Sequence, residues 1–140
     1  RMYNGCAGPM NIQENLVASN IDSFCGKSKM LDSRKVRSHS QQLIKEFGVK
    51  TQSENSAIKS LSGGNIQKVI VAREFTAGGE VLVLDQPTRG VDVGAISCIH
   101  QKILEMRAAG KGVLLVSADL NELIALADRI LVMYKGRVVA

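Results

Sequence analysis

Val81-Leu82-Val83-Leu84-Asp85 and, further along the chain, Val113-Leu114-Leu115-Val116 are the two segments that decide the fold. Each is a short unbroken apolar run, the pattern of a strand covered on both faces in a parallel sheet. Between them Ile96, Ile99, Ile103 and Met106 recur at helical spacing, and Gly110 stops the helix. Strand, helix and strand in that order predict a parallel crossover unit. Residues 121–127 predict a short helix. Ile130-Leu131-Val132-Met133-Tyr134 then turns at Lys135-Gly136 into Arg137-Val138-Val139, a small hairpin. Ligands in such folds lie at the carboxyl ends of central strands, here Asp85-Gln86 and Ser117-Ala118-Asp119. A sheet of three or four strands whose first strand begins only at residue 81 is incomplete. Its open edge makes self-association an expectation.

Upstream of residue 60 the pattern is helix and loop, with no strand. Residues 10–19 place Ile12, Leu16 and Val17 on one side of a short helix, and a polar stretch follows over 20–30. Asp32 or Ser33 caps the next helix, where Val36, Leu43, Ile44 and Phe47 fall at helical spacing and Gly48 takes the terminating position. Residues 50–60 read as a loop. The expected fold class is α/β, with a helical subdomain at 1–77 and part of a mainly parallel sheet at 78–140.

With 140 residues, 45% hydrophobic and 22% charged, the chain suits one globular domain and not a disordered segment. No apolar run is long enough to suggest a membrane span. The start, Arg1-Met2-Tyr3-Asn4-Gly5, has no signal-peptide pattern. Cys6, Cys25 and Cys98 lie far apart without a Cys-x-x-Cys pair, which points to a reduced, cytosolic chain and to neither a disulfide framework nor a zinc site. The net charge of +5 is densest over 27–37, at Lys27, Lys29, Arg34, Lys35 and Arg37. Phe24 is the one aromatic near it and Trp is absent, so a solvated helix face is expected there and no nucleic-acid partner. His39 and His100 have no ligand partner at useful spacing, Cys98 sits on an apolar-rich helix, and no nucleophilic triad is arranged.

Leu61-Ser62-Gly63-Gly64-Asn65 precedes a helix carrying Ile66, Val69 and Ile70. Ser62 stands as N-cap, the glycines permit close backbone approach, and the free N–H groups of a helix start suit phosphate. Alone, such a motif is most often an ordinary loop-to-helix turn. Asp85 adds to it. A carboxylate ending a buried strand is costly unless it is paired or faces a cation, although an isolated Asp is by default a turn or cap residue.

Together these stretches resemble the ABC-type ATPases. Leu61-Ser62-Gly63-Gly64-Asn65-Ile66-Gln67-Lys68 resembles their signature motif and Val81-Leu82-Val83-Leu84-Asp85 their Walker B strand. Pro87-Thr88-Arg89-Gly90-Val91-Asp92 is similar to the segment leading into the D-loop. The set, with Val93-Gly94-Ala95, is most similar to ATP-binding subunits of simple-sugar and nucleoside importers, and within them to the second nucleotide-binding domain. Ile12-Gln13-Glu14-Asn15-Leu16 and the 32–47 helix resemble that family's helical subdomain. Ala95-Ile96-Ser97-Cys98-Ile99-His100, with Gln86, leans to the nucleoside type.

The resemblance implies an incomplete P-loop NTPase fold, ATP and Mg²⁺ as ligands, and uptake of a sugar or nucleoside as the coupled work. Ser62, Gly63, Gly64 and Asn65, with Asp92, would bind nucleotide, the signature acting in trans on a second nucleotide-binding domain. Asp85 would hold the metal, and Gln86 occupies the catalytic position. Permease transmembrane subunits are the other implied partners, at the cytoplasmic face of the plasma membrane. The phosphate-binding Gly-x-x-x-x-Gly-Lys-[Ser/Thr] is not found: in the Gly26-Lys27-Ser28 stretch, Ile21 stands where the first glycine belongs. The resemblance places that loop before Arg1, so the chain is expected to be a C-terminal piece without ATPase activity of its own.

Two departures concern catalysis. Gln86 replaces the usual glutamate, and an amide orients water without accepting its proton. Ala118 stands where the switch histidine belongs. Two other readings stay open: a soluble ABC ATPase acting on nucleic acid or ribosomes, and a non-catalytic interaction module.

Overall fold

The computed structural model describes residues 5–26 and 29–139. The start at residues 1–4 and the Lys27-Ser28 pair of the Gly26-Lys27-Ser28 stretch lie outside the described residues.

Helix α1 (Ile12–Val17) begins with a reciprocal cap: Asn11 Oδ1 accepts from the Glu14 N–H, and the Glu14 carboxylate accepts from the Asn11 N–H. Ile12, Leu16 and Val17 are buried as the spacing predicts. A 3-10 segment, Ala18–Phe24, follows with a kink at Asn20. Of the two candidate caps for α2 (Ser33–Glu46), Asp32 is the one used; its carboxylate accepts from the N–H groups of Arg34 and Lys35. Gly48 ends α2 at φ +59°, and the bonds Val49 N–H to Ile44 O and Gly48 N–H to Lys45 O close a Schellman motif.

The stretch 50–60 is more ordered than a loop. Ile58–Ser60 forms a 3-10 turn, and Ile58 is fully buried. Its backbone is pinned to the start of α1 by Ile12 N–H to Ser56 O and Ile58 N–H to Met10 O. One apolar residue in a polar run carries no periodicity, so this anchor is invisible to a spacing argument.

Helix α3 (Gly63–Thr76) is the spine. Ile66, Val69, Val71, Ala72 and Phe75 are buried, and so are the polar Gln67 and Lys68. One apolar cluster runs from Ile12 and Leu43 through α3 to Leu82, Leu84, Ile99, Ile103 and Leu126.

β1 (Val81–Asp85) and β2 (Gly112–Val116) pair in parallel, from Val81 opposite Gly112 to Asp85 opposite Val116, and α4 (Val93–Ala108) makes the expected crossover. Two expectations need correction. The strands are covered on one face only: Leu82 and Leu84 are buried, whereas Val81 and Val83 are 66% and 64% exposed. Successive side chains point to opposite faces, and among the described residues nothing packs on the second face. Nor does this sheet reach three strands; among the described residues it has two. After α5 (Leu120–Leu126), residues 130–131 stay outside the ladder, and β3 (Met133–Tyr134) and β4 (Arg137–Val138) pair as a separate antiparallel hairpin, extended by the Val139 N–H to Val132 O bond. Its turn is the predicted Lys135-Gly136, both at positive φ. No described helix is long and apolar enough to cross a membrane.

Candidate functional site

At the end of β1 the Gln86 N–H donates to Val116 O at 2.8 Å, carrying the ladder one bond past the strand. Gln86 then takes φ +49°, a left-handed conformation uncommon for a residue with a Cβ. Two tight turns follow, closed by Arg89 N–H to Gln86 O and Val91 N–H to Thr88 O, with Gly90 at φ +73°. They deliver Asp92 to the start of α4, where its Oδ1 accepts from the Ala95 N–H at 2.9 Å.

The first two turns of α3 lie against this loop. A Cβ on Gly64 would sit 3.2 Å from the Gly90 carbonyl oxygen, so the glycine is what permits the approach. One step further, Gln67 Nε2 donates to Pro87 O at 3.2 Å in a buried setting. Next to it Lys68, with its side chain 6% exposed, places Nζ 2.9 Å from Asp92 Oδ2 and 3.1 Å from Gly48 O. The Lys68 ammonium, and after it the Ala95 N–H, hold the Asp92 carboxyl below its usual range.

Ser62 is the N-cap residue by position, but its side chain makes no capping bond, contrary to the sequence expectation. Its Oγ instead accepts from Asn65 Nδ2 at 2.9 Å, while Asn65 Oδ1 accepts from the Lys50 N–H. Gly63, Gly64 and Asn65 form the first turn, whose N–H groups have no intrahelical acceptor. A Cβ on Gly63 would meet nothing within 4 Å.

Asp85 does not lie in the buried setting expected at this strand end. It is exposed, and it has no ion pair among the described residues. Nor do the described residues gather three His, Cys, Asp or Glu side chains into a metal-holding group. The structure thus brings Ser62, Gly63, Gly64 and Asn65 to one helix start, beside the loop that carries Gln86 and Asp92. Ala118 is exposed between β2 and α5, and Asp119 caps α5.

Several contacts escape the sequence reading. Gln67 and Lys68 are polar residues within the otherwise apolar run 66–72 of α3, a sign that each has a buried partner. His100 Nε2 lies 2.9 Å from Glu122 Oε1, joining α4 to α5; Glu122 is 3% exposed and its Oε2 has no partner among the described residues. His39 packs its ring on Phe24 at 4.9 Å, and burial lowers its pKa. Cys98 Sγ faces Glu46 O, and burial raises that thiol's pKa. Of the basic stretch, Lys29, Arg34 and Lys35 are exposed and Arg37 pairs with Glu54 at 2.8 Å; Lys27 lies outside the described residues.

No family model matches the chain. Curated relatives do. The ribose import ATP-binding protein of Clostridium perfringens is 40% identical over 138 residues, which is 99% of this chain and 28% of that protein. The galactose/methyl galactoside import ATP-binding protein of Vibrio vulnificus is 42% identical over 98% of this chain and 27% of its own length. The glucose import ATP-binding protein of Haloferax volcanii is 44% identical over 96% of this chain and 25% of its own length. The chain therefore spans about a quarter of the length of these relatives. Among solved structures, the ATP-binding subunit of an ABC transporter superposes with a TM-score of 0.77 at 23% identity, over 96% of this chain and 53% of that one. A dimeric bacterial ABC transporter cassette gives 0.73 at 23% identity, over 89% and 53%. The fold is that of part of an ABC ATPase cassette.

Proposed function

We propose, from this kinship with sugar import ATP-binding proteins, that the chain is the C-terminal part of such a protein, one that couples ATP hydrolysis to uptake of a sugar or nucleoside. Its own contribution is the signature segment, offered in trans to a second nucleotide-binding domain. The observation that carries the reading is the helix start at Ser62: first-turn N–H groups unspent on any side-chain cap, with open space above Gly63.

These residues fit an anionic ligand. The N–H groups of Gly63, Gly64 and Asn65 point along the positive end of the α3 dipole, and the Ser62 hydroxyl adds a donor. The exposed Asp85 carboxylate, at the end of β1, fits a cation reached through water. Bound MgATP supplies the phosphoanhydride whose terminal phosphoryl group passes to water. Gln86 orients that water at the chain's own site but takes no proton from it. Ala118 contributes no hydrogen bond to a terminal phosphate. The chain thus donates a competent signature and carries a weak hydrolytic site of its own.

Residues 1–77 form the helical subdomain facing permease subunits, residues 78–140 belong to the ATPase core, and Asp92 supports the nucleotide from the D-loop. The protein works at the cytoplasmic face of the membrane, held by those subunits. The test is ATP turnover by the protein that carries this chain, assembled with its permease in membranes. Turnover stimulated by the imported solute supports the reading. Salt-sensitive nucleic-acid binding without such stimulation overturns it.

A further inference from the structure

Lys68 is the one described lysine whose side chain is both almost wholly buried and bonded to two different parts of the fold. Removing an ammonium from water is unfavourable unless its donors are met, and here they are met with selectivity. The Gly48 carbonyl belongs to the end of α2 and the Asp92 carboxylate to the loop after β1. Because Asp92 also caps α4, the ion pair reaches the helix that follows as well. Gly64 against Gly90 and Gln67 to Pro87 lie on the same side of α3, so the three contacts form a continuous seam.

We propose that Lys68 is a positioning residue: its ammonium, clamped between Gly48 O and Asp92 Oδ2, makes the Ser62–Asn65 helix start and the 86–92 loop move as one unit. The inference rests on the proposed function and deepens it. The helix start serves the partner domain's nucleotide, while Asp85 and Gln86 serve the chain's own. A rigid seam between them makes a change at one site felt at the other within a single chain. A loose seam leaves the two sites independent. A two-state element biased from both ends is what coupling requires.

Three variants separate this role from simple packing. Lys68→Met keeps length and apolar bulk but removes the charge. Asp92→Asn keeps an oxygen for the Ala95 N–H, since Asn is as good a cap, while turning a donor towards Lys68. Lys68→Arg restores a cation able to reach both acceptors. The experiment uses the assembled protein that carries this chain. Amide hydrogen exchange of Arg89 and Val91 is measured without nucleotide, and the Hill coefficient for ATP turnover is measured separately.

Lys68→Met and Asp92→Asn are expected to raise exchange at those two amides about tenfold, as for one lost charge-assisted bond, with the amides of α1 unchanged. Both should lower the Hill coefficient towards 1, and Lys68→Arg should recover both readouts. Unchanged exchange at Arg89 and Val91 overturns the clamp, as does an equal rise throughout the chain. Local loosening with an unaltered Hill coefficient overturns the coupling. Absence of ATP turnover in the unmodified protein overturns the functional reading instead, and the exchange arm, which needs no nucleotide, tells the two failures apart.

Discussion

Gly64 and Gly90 meet so closely that a methyl group on the first would lie 3.2 Å from the carbonyl oxygen of the second. The contact joins the helix start of α3 to the loop after β1, and both sides are backbone. Gly63, one residue earlier, has no neighbour within 4 Å of the same methyl position. The two adjacent glycines therefore serve different purposes. Gly64→Ala should shift the 86–92 loop and cost about 1–3 kcal/mol of stability, as overpacking does. Gly63→Ala should leave the urea midpoint nearly unchanged and still impair ATP turnover, because what it obstructs comes from outside the chain. A Gly63→Ala protein with normal turnover would remove the case for a ligand at that helix start.

Ser62 and Gln86 should differ in consequence. Ser62→Ala removes a hydroxyl that caps nothing and holds only Asn65, so thermal stability should stay close to that of the parent. Solute uptake should nevertheless fall about a hundredfold, the cost of a donor aimed at developing charge. Gln86→Ala should keep uptake within a factor of about 3, because an amide takes no proton from the attacking water. Uptake assays on vesicles read both, and equal severe losses would refute the asymmetry.

His39 gives the chain a pH dependence in the neutral range. Burial against Phe24 puts its folded pKa below 6.5, so the unfolded chain binds the proton first as pH falls. Stability from this group is complete above 6.5 and declines as pH drops through the lower folded value. Urea midpoints measured between pH 8 and pH 5 should fall in that window. His39→Leu should flatten the slope there. Asp92 adds a separate decline at lower pH, present above the usual carboxylate range of about 4 and lost below it.

The His100–Glu122 contact predicts an asymmetric pair of variants. His100→Ala leaves the Glu122 carboxylate buried with neither oxygen satisfied, at a cost of about 1–3 kcal/mol. His100→Gln presents an amide N–H at similar reach and should recover most of that. Denaturant curves for both decide it; equal losses would show that ring packing, and not the hydrogen bond, joins α4 to α5.

The uncovered face of the β1–β2 sheet, with Val81, Val83, Leu114 and Val116 between 48% and 66% exposed, should make the 140-residue chain associate when it is produced alone. Sedimentation velocity at rising concentration should show this. Val83→Thr with Leu114→Thr should reduce it without lowering the helical signal in circular dichroism.

Much of the fold was legible because its signals are local. Capping at Asp32 or Ser33, the stops at Gly48 and Gly110 and the hairpin turn at Lys135-Gly136 depend on residues within one or two turns of each other, and the crossover follows from the order of two apolar runs around one helix. The proposed site residues Ser62, Gly63, Gly64, Asn65, Asp85, Gln86 and Asp92 stand out through the resemblance of their segments to ABC ATPase motifs. Their surroundings were not. An apolar run cannot say whether its second face is covered, so the exposure of Val81 and Val83 has no sign in the sequence. Nor can a capping residue type show where its hydroxyl turns, which is why Ser62 was expected to cap α3.

By itself the sequence determined the main helices and the two parallel strands, where most of them end and which motif residues stand at those ends. Backbone geometry imposes these on any chain with that spacing. Only the tertiary structure decided that Lys68 meets Asp92 and Gly48, that Gln67 meets Pro87 and that Gly64 abuts Gly90. These partners lie some twenty residues or more apart. A buried charge or amide takes its partner from whatever element packing brings within 3 Å or so, and no local period encodes that choice.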